Sequence, residues 1–135
     1  MRKKTVLFLC THNSARSKMA EGLLRNMYGE NYKVFSAGVN PTYVNQYAID
    51  VMKEIGIDIS KQPSKSIEEF RDITFDYVVT VCDNAKETCP FFPGKKILHK
   101  GFEDPVSFNV SSEETLAFFR KVRDEIKTWI AENFA

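Results

Sequence analysis

The sequence predicts an α/β fold in which a parallel sheet carries helices on both faces. Runs of β-branched, aliphatic and aromatic residues have the composition of buried strands, and segments with apolar residues at helical spacing follow them. Strands that alternate with helices form a parallel sheet, because right-handed crossovers return each helix to a face of the sheet. Ligands of such sheets bind beyond the carboxyl ends of the strands, where we therefore expect the functional residues.

The first half of the chain contains two predicted strands and two predicted helices. Thr5–Leu9 is a continuous apolar run typical of a strand covered on both faces, and Val34–Ala37 is a second, shorter one. Between them, Ser17–Met27 has helical spacing, and glycines end both helices, at Gly29 and Gly56. The apolar positions of the second helix are Ala48, Val51, Met52 and Ile55.

The second half contains the clearest buried strand and the longest helix. Asp76–Val81 is the strand, and Lys96–His99 has the composition of a short fourth one. Between them, residues 83–94 include two prolines and are predicted to form a mobile loop. Glu113–Phe134 is predicted to be a long helix. One face of it carries Leu116, Phe119, Val122, Ile126 and Ile130.

Length and charge limit the classes of function. A chain of 135 residues without repeats or linkers is expected to form one domain, residues 1–135. A formal net charge of +1 argues against nucleic acid or an anionic membrane as the main partner, so an anion site has to be local. The apolar run after the basic N-terminus is too short for a signal peptide, and no run is long enough to span a membrane. We therefore expect a cytoplasmic protein whose three cysteines act as catalysts or redox carriers.

The segment Cys10-Thr11-His12-Asn13-Ser14-Ala15-Arg16-Ser17, here called the anion loop, lies between the first strand and the first helix. Backbone N–H groups of such a loop, together with the N-terminus of the following helix, can surround a tetrahedral oxyanion. Arg16 adds a planar fork for two of its oxygens, and the same field favours the thiolate form of Cys10. Ser17 is predicted to hydrogen-bond that thiolate and to cap the helix, and Asn13 suits a left-handed turn. The alternative is a structural cysteine beside a solvated arginine.

The anion loop and the residues after it, Met19-Ala20-Glu21, resemble the signature of the low-molecular-weight tyrosine phosphatase superfamily, and within it the thioredoxin-coupled arsenate reductases. The resemblance extends over nearly the whole chain and implies a four-stranded parallel sheet. Further matching segments are Ser36-Ala37-Gly38, Ile57-Asp58-Ile59-Ser60, Val79-Thr80-Val81-Cys82, Gly101-Phe102-Glu103-Asp104-Pro105 and Phe119–Ile126.

The resemblance implies a role for each reactive side chain. Cys10 is the nucleophile, and Asp104, stiffened by Pro105, is the general acid, although Asp-Pro read alone is a common turn. Reduction of As(V) needs two electrons, which Cys82 and Cys89 supply by passing a disulfide from Cys10 outward to thioredoxin. No cofactor is expected, and a zinc site is not expected either, since Cys82-x6-Cys89 is a poor spacing for zinc ligands.

Two alternatives remain open beside an arsenate reductase. A phosphatase acting on phosphotyrosine or small phosphoesters needs only the first cysteine, but Val106-Ser107-Phe108 lacks the tyrosine that such phosphatases carry after Asp-Pro. A non-enzymatic anion or redox sensor is the third interpretation, and His12 and His99 are interpreted as non-catalytic. We expect a monomer.

Arsenate reductases of this family often bind potassium through positions that match Asn13, Glu21 and Ser36, plus an acidic residue at a position that is Lys65 here. A solvated Lys65 is one interpretation. The other is that its ammonium lies near Glu21 and replaces the cation.

Overall fold

A computed structural model describes residues 2–83, 91–105 and 111–135. The predicted strands and helices are found within these ranges, and their ends differ from the predicted ones by no more than two residues. The structure also contains a short 3₁₀ helix that was not predicted. Residues 84–90 of the predicted loop lie outside the described ranges. In chain order the elements are β1 (Lys4–Cys10), α1 (Arg16–Tyr28), β2 (Tyr32–Gly38), α2 (Gln46–Lys53), the 3₁₀ helix (Ile67–Phe70), β3 (Phe75–Thr80), β4 (Gly94–His99) and α3 (Ser112–Phe134).

The four strands form one parallel sheet in the order β2-β1-β3-β4. β1 lies between β2 and β3, and its residues from Val6 to Cys10 are buried, which explains why its sequence is apolar without alternation. Cys10 pairs with Gly38 of β2, and Leu9 pairs with Thr80 of β3. The carboxyl ends of β1, β2 and β3 therefore meet at one edge of the sheet.

The two faces of the sheet are covered differently. On one face, Val6 and Phe8 belong to a large core with the apolar residues of α1, α2 and α3. On the other face, Leu7 and Leu9 pack in a smaller core that includes Phe70 of the 3₁₀ helix. The predicted α/β class with four parallel strands is confirmed, and the second face is covered by a 3₁₀ helix. None of the helices in the described ranges is long and apolar enough to cross a membrane.

The last turn of α3 packs against three strands through the ring of Phe134. Its centroid lies 6.4 Å from that of Phe8 in β1, 5.2 Å from that of Tyr32 in β2 and 5.5 Å from that of Tyr77 in β3. All three pairs meet edge to face, an arrangement that aromatic rings prefer. This cluster fixes α3 across the sheet.

At the amino end of the sheet, Asp76 joins β3 to β1. Its Oδ2 accepts hydrogen bonds from the backbone N of Thr5 at 2.8 Å and from the Thr5 hydroxyl at 3.2 Å. Arg2 and Lys95 lie within ion-pair distance of the same carboxylate. The backbone hydrogen bond from Thr5, helped by these cations and opposed by burial, holds the pKa of Asp76 below its usual value.

Candidate active site

The anion loop begins at the carboxyl end of β1 and ends in the first turn of α1. Cys10 is the last residue of β1 and is 2% exposed, and α1 begins at Arg16. A thiol at this position lies at the edge of the sheet where ligands of parallel α/β folds bind. Cys10 therefore lies at the edge of the sheet where the sequence predicts functional residues, and its role as the nucleophile stays a prediction.

Four consecutive carbonyls of the loop are turned away from its centre by neighbouring segments. The carbonyls of Thr11, His12 and Ser14 accept hydrogen bonds from the backbone N of Asn40, Thr42 and Asn45, at 2.9, 3.2 and 3.0 Å. The Asn13 carbonyl accepts one from the Ser64 hydroxyl at 2.7 Å. In a planar trans peptide, the C=O and the following N–H point in opposite directions. The N–H groups of residues 12–15 are therefore turned toward the inside of the loop, as oxyanion binding requires.

The backbone of this loop requires a residue without a side chain at Gly38 and one that tolerates a positive φ at Asn13. A Cβ on Gly38 would lie 2.7 Å from the backbone N of Asn13 and 2.7 Å from the carbonyl oxygen of Thr11, both rigid atoms. Gly38 therefore lets the end of β2 touch the loop. Asn13 has a φ of 50°, the left-handed conformation predicted for it.

A chain of buried hydrogen bonds runs from Cys10 to Glu21 behind the loop. The Asn13 side-chain nitrogen donates to the hydroxyl oxygens of Ser17 and Ser36, at 2.8 and 2.9 Å, and Ser36 donates in turn to Glu21. The Ser17 oxygen lies 2.8 Å from the sulfur of Cys10. Because Ser17 accepts from Asn13, its own proton is left to donate to Cys10, which stabilises a thiolate.

The prediction that Ser17 also caps α1 is wrong. The N-cap residue is Ala15, and no side chain caps the helix. Ser17 lies inside the first turn, and its hydroxyl is committed to Cys10 and Asn13. Because no capping side chain occupies them, the first N–H groups of α1 can serve an anion.

Arg16 and Asp104 meet at the mouth of the loop. Arg16 is almost fully buried, its Nη1 donates to the Phe102 carbonyl at 3.3 Å, and its Nη2 lies 3.5 Å from Oδ2 of Asp104. The guanidinium is thus fixed by the segment after β4, and Asp104 lies beside it. A carboxyl group in this position can reach the leaving oxygen of an anion bound in the loop.

The loop opens into a cavity of about 190 Å³. This volume is below the roughly 300–1,000 Å³ of pockets for drug-sized ligands and suits a small oxyanion. Sequence reasoning missed Thr42, Tyr43 and Asn45, which line it because they follow β2 at the same edge of the sheet. Of the predicted residues, it is lined by Cys10, His12, Ser14, Ala15, Arg16 and Asp104.

Cys82 is buried just beyond β3, at the same edge of the sheet as Cys10. Because Leu9 pairs with Thr80, Cys10 lies level with Val81. Cys82 is one residue further along the chain that continues from β3. Both cysteines belong to the same buried cluster. Cys89 lies outside the described residues. Within those residues, no three His, Cys, Asp or Glu side chains are grouped as metal ligands would be.

Lys18, and not Lys65, supplies the ammonium that pairs with Glu21. The Nζ of Lys18 lies 3.3 Å from Oε1 of Glu21, and Arg25 contacts the other oxygen at 2.5 Å. The Nζ of Lys65 lies 5.8 Å from the ring centroid of Phe70, and its backbone N donates to Asn13. The spacing of Lys18 and Glu21, three residues apart in a predicted helix, was the signal that sequence reasoning overlooked.

Comparison with known proteins gives consistent matches over almost the whole chain. The family model described as low molecular weight phosphotyrosine protein phosphatase matches residues 5–134. An arsenate reductase of Halalkalibacterium halodurans is 47% identical over 93% of this chain and 91% of its own.

Solved structures of arsenate reductases have the same fold. One, in its phosphate-binding state, is 33% identical with a TM-score of 0.80, over 96% of this chain and 95% of its own. The thioredoxin-dependent arsenate reductase of Corynebacterium glutamicum is 26% identical with a TM-score of 0.68. The match covers 96% of this chain and 61% of the Corynebacterium glutamicum chain.

Proposed function

This chain belongs to the low molecular weight phosphotyrosine protein phosphatase family, and from that premise we propose that it reduces arsenate to arsenite. The observation that carries the proposal is the orientation of the anion loop. Its carbonyls accept hydrogen bonds from residues 40, 42, 45 and 64, so its N–H groups are turned toward the inside of the loop that the buried Cys10 begins. Arsenate is a tetrahedral oxyanion of the size that this loop and the small cavity suit.

In the first step, the Cys10 thiolate attacks arsenic. An As–O bond breaks, its oxygen takes a proton from the Asp104 carboxylic acid, and water leaves. The N–H groups of the loop and the guanidinium of Arg16 hold the remaining oxygens and balance their charge. The product is an As(V) adduct on the sulfur of Cys10.

Cys82 is disulfide-bonded in this structure, so a dithiol reductant must first return it to a thiol. In the second step, the Cys82 thiolate attacks the sulfur of Cys10. The electron pair of the S–As bond stays with arsenic, which leaves as As(III) arsenite, and a Cys10–Cys82 disulfide forms. Cys89 then attacks Cys82, releases the Cys10 thiol and carries the disulfide to a dithiol reductant. We propose thioredoxin for this role, since a relative of the same fold depends on it.

The monomer is proposed as the active unit, because Cys10, Arg16, Cys82 and Asp104 all belong to one chain. We place the protein in the cytoplasm, where reducing conditions return the relay to its thiol state. A phosphatase activity is the second candidate. It is favoured by the family and by the geometry, because hydrolysis of a phosphoester needs only Cys10, Arg16 and Asp104 of this site.

One paired assay tests these functions. Arsenate-dependent NADPH oxidation is measured with thioredoxin and thioredoxin reductase, and hydrolysis of para-nitrophenyl phosphate is measured on the same preparation. Steady NADPH oxidation that is absent in Cys10→Ser supports the reductase. Hydrolysis without NADPH oxidation would make the protein a phosphatase, and no turnover with either substrate would leave an anion or redox sensor.

A further inference from the structure

Lys18 carries a charge in a place where charges are rarely found. Its side chain is 1% exposed, in the second position after Arg16 along α1, and its ammonium pairs with the buried carboxylate of Glu21. Burial lowers the pKa of Lys18, and the attraction of Glu21 opposes that effect. Burying an ion pair costs desolvation free energy, which offsets the attraction between the two charges. The pair is therefore not explained by a contribution to stability, which points to a functional role.

Glu21 is the end of the hydrogen-bond chain that starts at Cys10. As a carboxylate it can only accept, so Ser36 donates to it and uses its own oxygen to accept from Asn13. The Asn13 amide then points its nitrogen at both serines, an orientation that the backbone N of Lys65 secures by donating to Oδ1 at 2.8 Å. The Asn13 amide thereby makes both serines acceptors, which leaves the Ser17 proton for Cys10 and the Ser36 proton for Glu21.

We propose that Lys18 is a positioning residue for Cys10, acting through Glu21. Its ammonium lets Glu21 remain a full acceptor behind the loop without leaving a net negative charge there. An uncompensated carboxylate in this position would oppose both the Cys10 thiolate and a bound oxyanion, because charges interact strongly in a poorly solvated interior. With Lys18 beside it, Glu21 still accepts the hydrogen bond from Ser36, while the ammonium cancels the negative charge of the carboxylate.

Other charged groups lie near the two ends of the hydrogen-bond chain, Glu21 and Cys10. Around Glu21 these are Arg25 in α1, Lys65 after α2, and Lys3 and Lys33 at the amino ends of β1 and β2. Arg25 is 44% exposed and also donates to the Val34 carbonyl, so solvent screens much of its charge. Around Cys10 they are Arg16, His12 and Asp104. Among the described lysines, Lys18 is the buried one, so its charge is the least screened by solvent.

The test measures the reactivity of Cys10 directly. The rate of Cys10 alkylation by iodoacetamide is followed against pH in fully reduced protein, with the modified peptide identified by mass spectrometry. In Lys18→Met, we expect the midpoint of this profile to rise by roughly half a pH unit, or about a threefold lower rate below the midpoint. A profile identical to that of the unmodified protein, in a folded Lys18→Met variant, would overturn the proposal.

A double variant separates charge from packing. Lys18→Met/Glu21→Gln removes both charges and keeps an acceptor for Ser36, so its midpoint should return toward that of the unmodified protein. If Lys18 only fills space, the double variant stays at least as perturbed as Lys18→Met, which contradicts the proposal. Lys18→Arg should keep the original profile, and Arg25→Gln, which removes the exposed partner of Glu21, should shift it less than Lys18→Met.

If Lys18→Met does not fold, Lys18→Gln is measured in its place. It removes the same charge and leaves the Glu21 carboxylate uncompensated, so its midpoint should also rise, and an unchanged midpoint would refute the proposal. The inference rests on Cys10 as the nucleophile. It does not require arsenate as the substrate, because alkylation is measured without it, so either proposal can fail while the other stands.

Discussion

At the scale of single residues, Arg16 performs two tasks that a point charge cannot combine. One guanidinium nitrogen donates to the carbonyl of Phe102, another lies beside Asp104, and the residue lines the cavity. A lysine has one ammonium on a flexible stem and cannot hold these directions together. Arg16 therefore links the anion loop to the segment that carries the acid.

Arg16→Lys should lower kcat/KM for arsenate by on the order of 100-fold, which corresponds to about 2.7 kcal/mol of transition-state stabilisation. The variant keeps the positive charge, so the fall in kcat/KM measures the contribution of the planar guanidinium. Steady-state kinetics with arsenate measure it, and circular dichroism checks the fold. A catalytic efficiency within about threefold of the unmodified protein would contradict this model of the loop.

Asp104→Asn should slow the first covalent step by about 10²-fold or more, because a carboxamide cannot protonate the leaving oxygen. Single-turnover experiments that follow formation of the Cys10 adduct measure the effect. Thiol exchange between Cys82 and Cys89 should be unaffected, and this exchange is the internal control. Glu103→Gln, at the neighbouring carboxylate, should leave the single-turnover rate unchanged.

At the scale of elements, the close approach of β2 to the anion loop makes Gly38 a position that no side chain can occupy. Gly38→Ala should weaken phosphate and arsenate binding, because its Cβ would push against the backbone of Asn13 and Thr11. The rise in melting temperature on adding phosphate reports this binding. It should be large in the unmodified protein and small in the variant.

Gly56→Ala is the matched control for Gly38→Ala. Gly56 has a φ of +80° and open space around it, so alanine there costs roughly 1–2 kcal/mol of backbone strain without touching the loop. This variant should melt at a lower temperature and keep the full response to phosphate. A lost response in Gly56→Ala would mean that the effect of Gly38→Ala is general destabilisation.

Asp76 ties the amino ends of β1 and β3, and its lowered pKa links this contact to pH. A carboxyl group with a lowered folded-state pKa stabilises the fold above its ordinary pKa of about 4, and this contribution is lost as the pH falls through the folded-state value. Asp76→Asn should therefore cost about 1–2 kcal/mol at pH 7, and the difference should shrink below about pH 4. Urea unfolding at several pH values measures it, and a constant difference would exclude the titration of Asp76 as its cause.

Continuous apolar runs predicted the strands and helical spacing predicted the α-helices, because these elements bury enough apolar residues to leave a pattern in the sequence. The 3₁₀ helix Ile67–Phe70 escaped this reasoning, since four residues are too few to show a period. Its capping box, Ser66 with Glu69, was nevertheless a readable signal. Ser17 was misassigned as a helix cap for a different reason: the sequence does not reveal that its hydroxyl bonds Cys10 and Asn13.

At the scale of the whole molecule, the strand order could not be derived from the alternation of strands and helices, because several orders satisfy the same right-handed crossovers. The family resemblance supplied it. The candidate site was largely predictable for the same reason, since Cys10, Arg16 and Asp104 lie in matching motifs. Lys18 and residues 42–45 could not be assigned this way, because their roles depend on which segments meet at one edge of the sheet.

The proposed relay spans the molecule from the buried loop to the surface, and it separates two activities. Cys82→Ser and Cys89→Ser should each block multiple turnover with arsenate, yet leave hydrolysis of para-nitrophenyl phosphate within about twofold, because hydrolysis uses neither thiol. The coupled NADPH assay and the phosphatase assay on the same preparations measure both. A parallel fall of the two activities would mean that these cysteines are structural.

The aromatic cluster around Phe134 has a consequence for how the protein is made. It joins the last turn of α3 to strands formed far earlier in the chain, as the hydrogen bond from Tyr32 to the Phe134 carbonyl does across 102 positions. During synthesis, contacts between segments so far apart in the sequence cannot form before the last turn of α3 has been made. The part of the sheet face that α3 covers therefore stays exposed until α3 has left the ribosome, and we expect nascent chains to carry Cys10 before the scaffold that makes it reactive is complete.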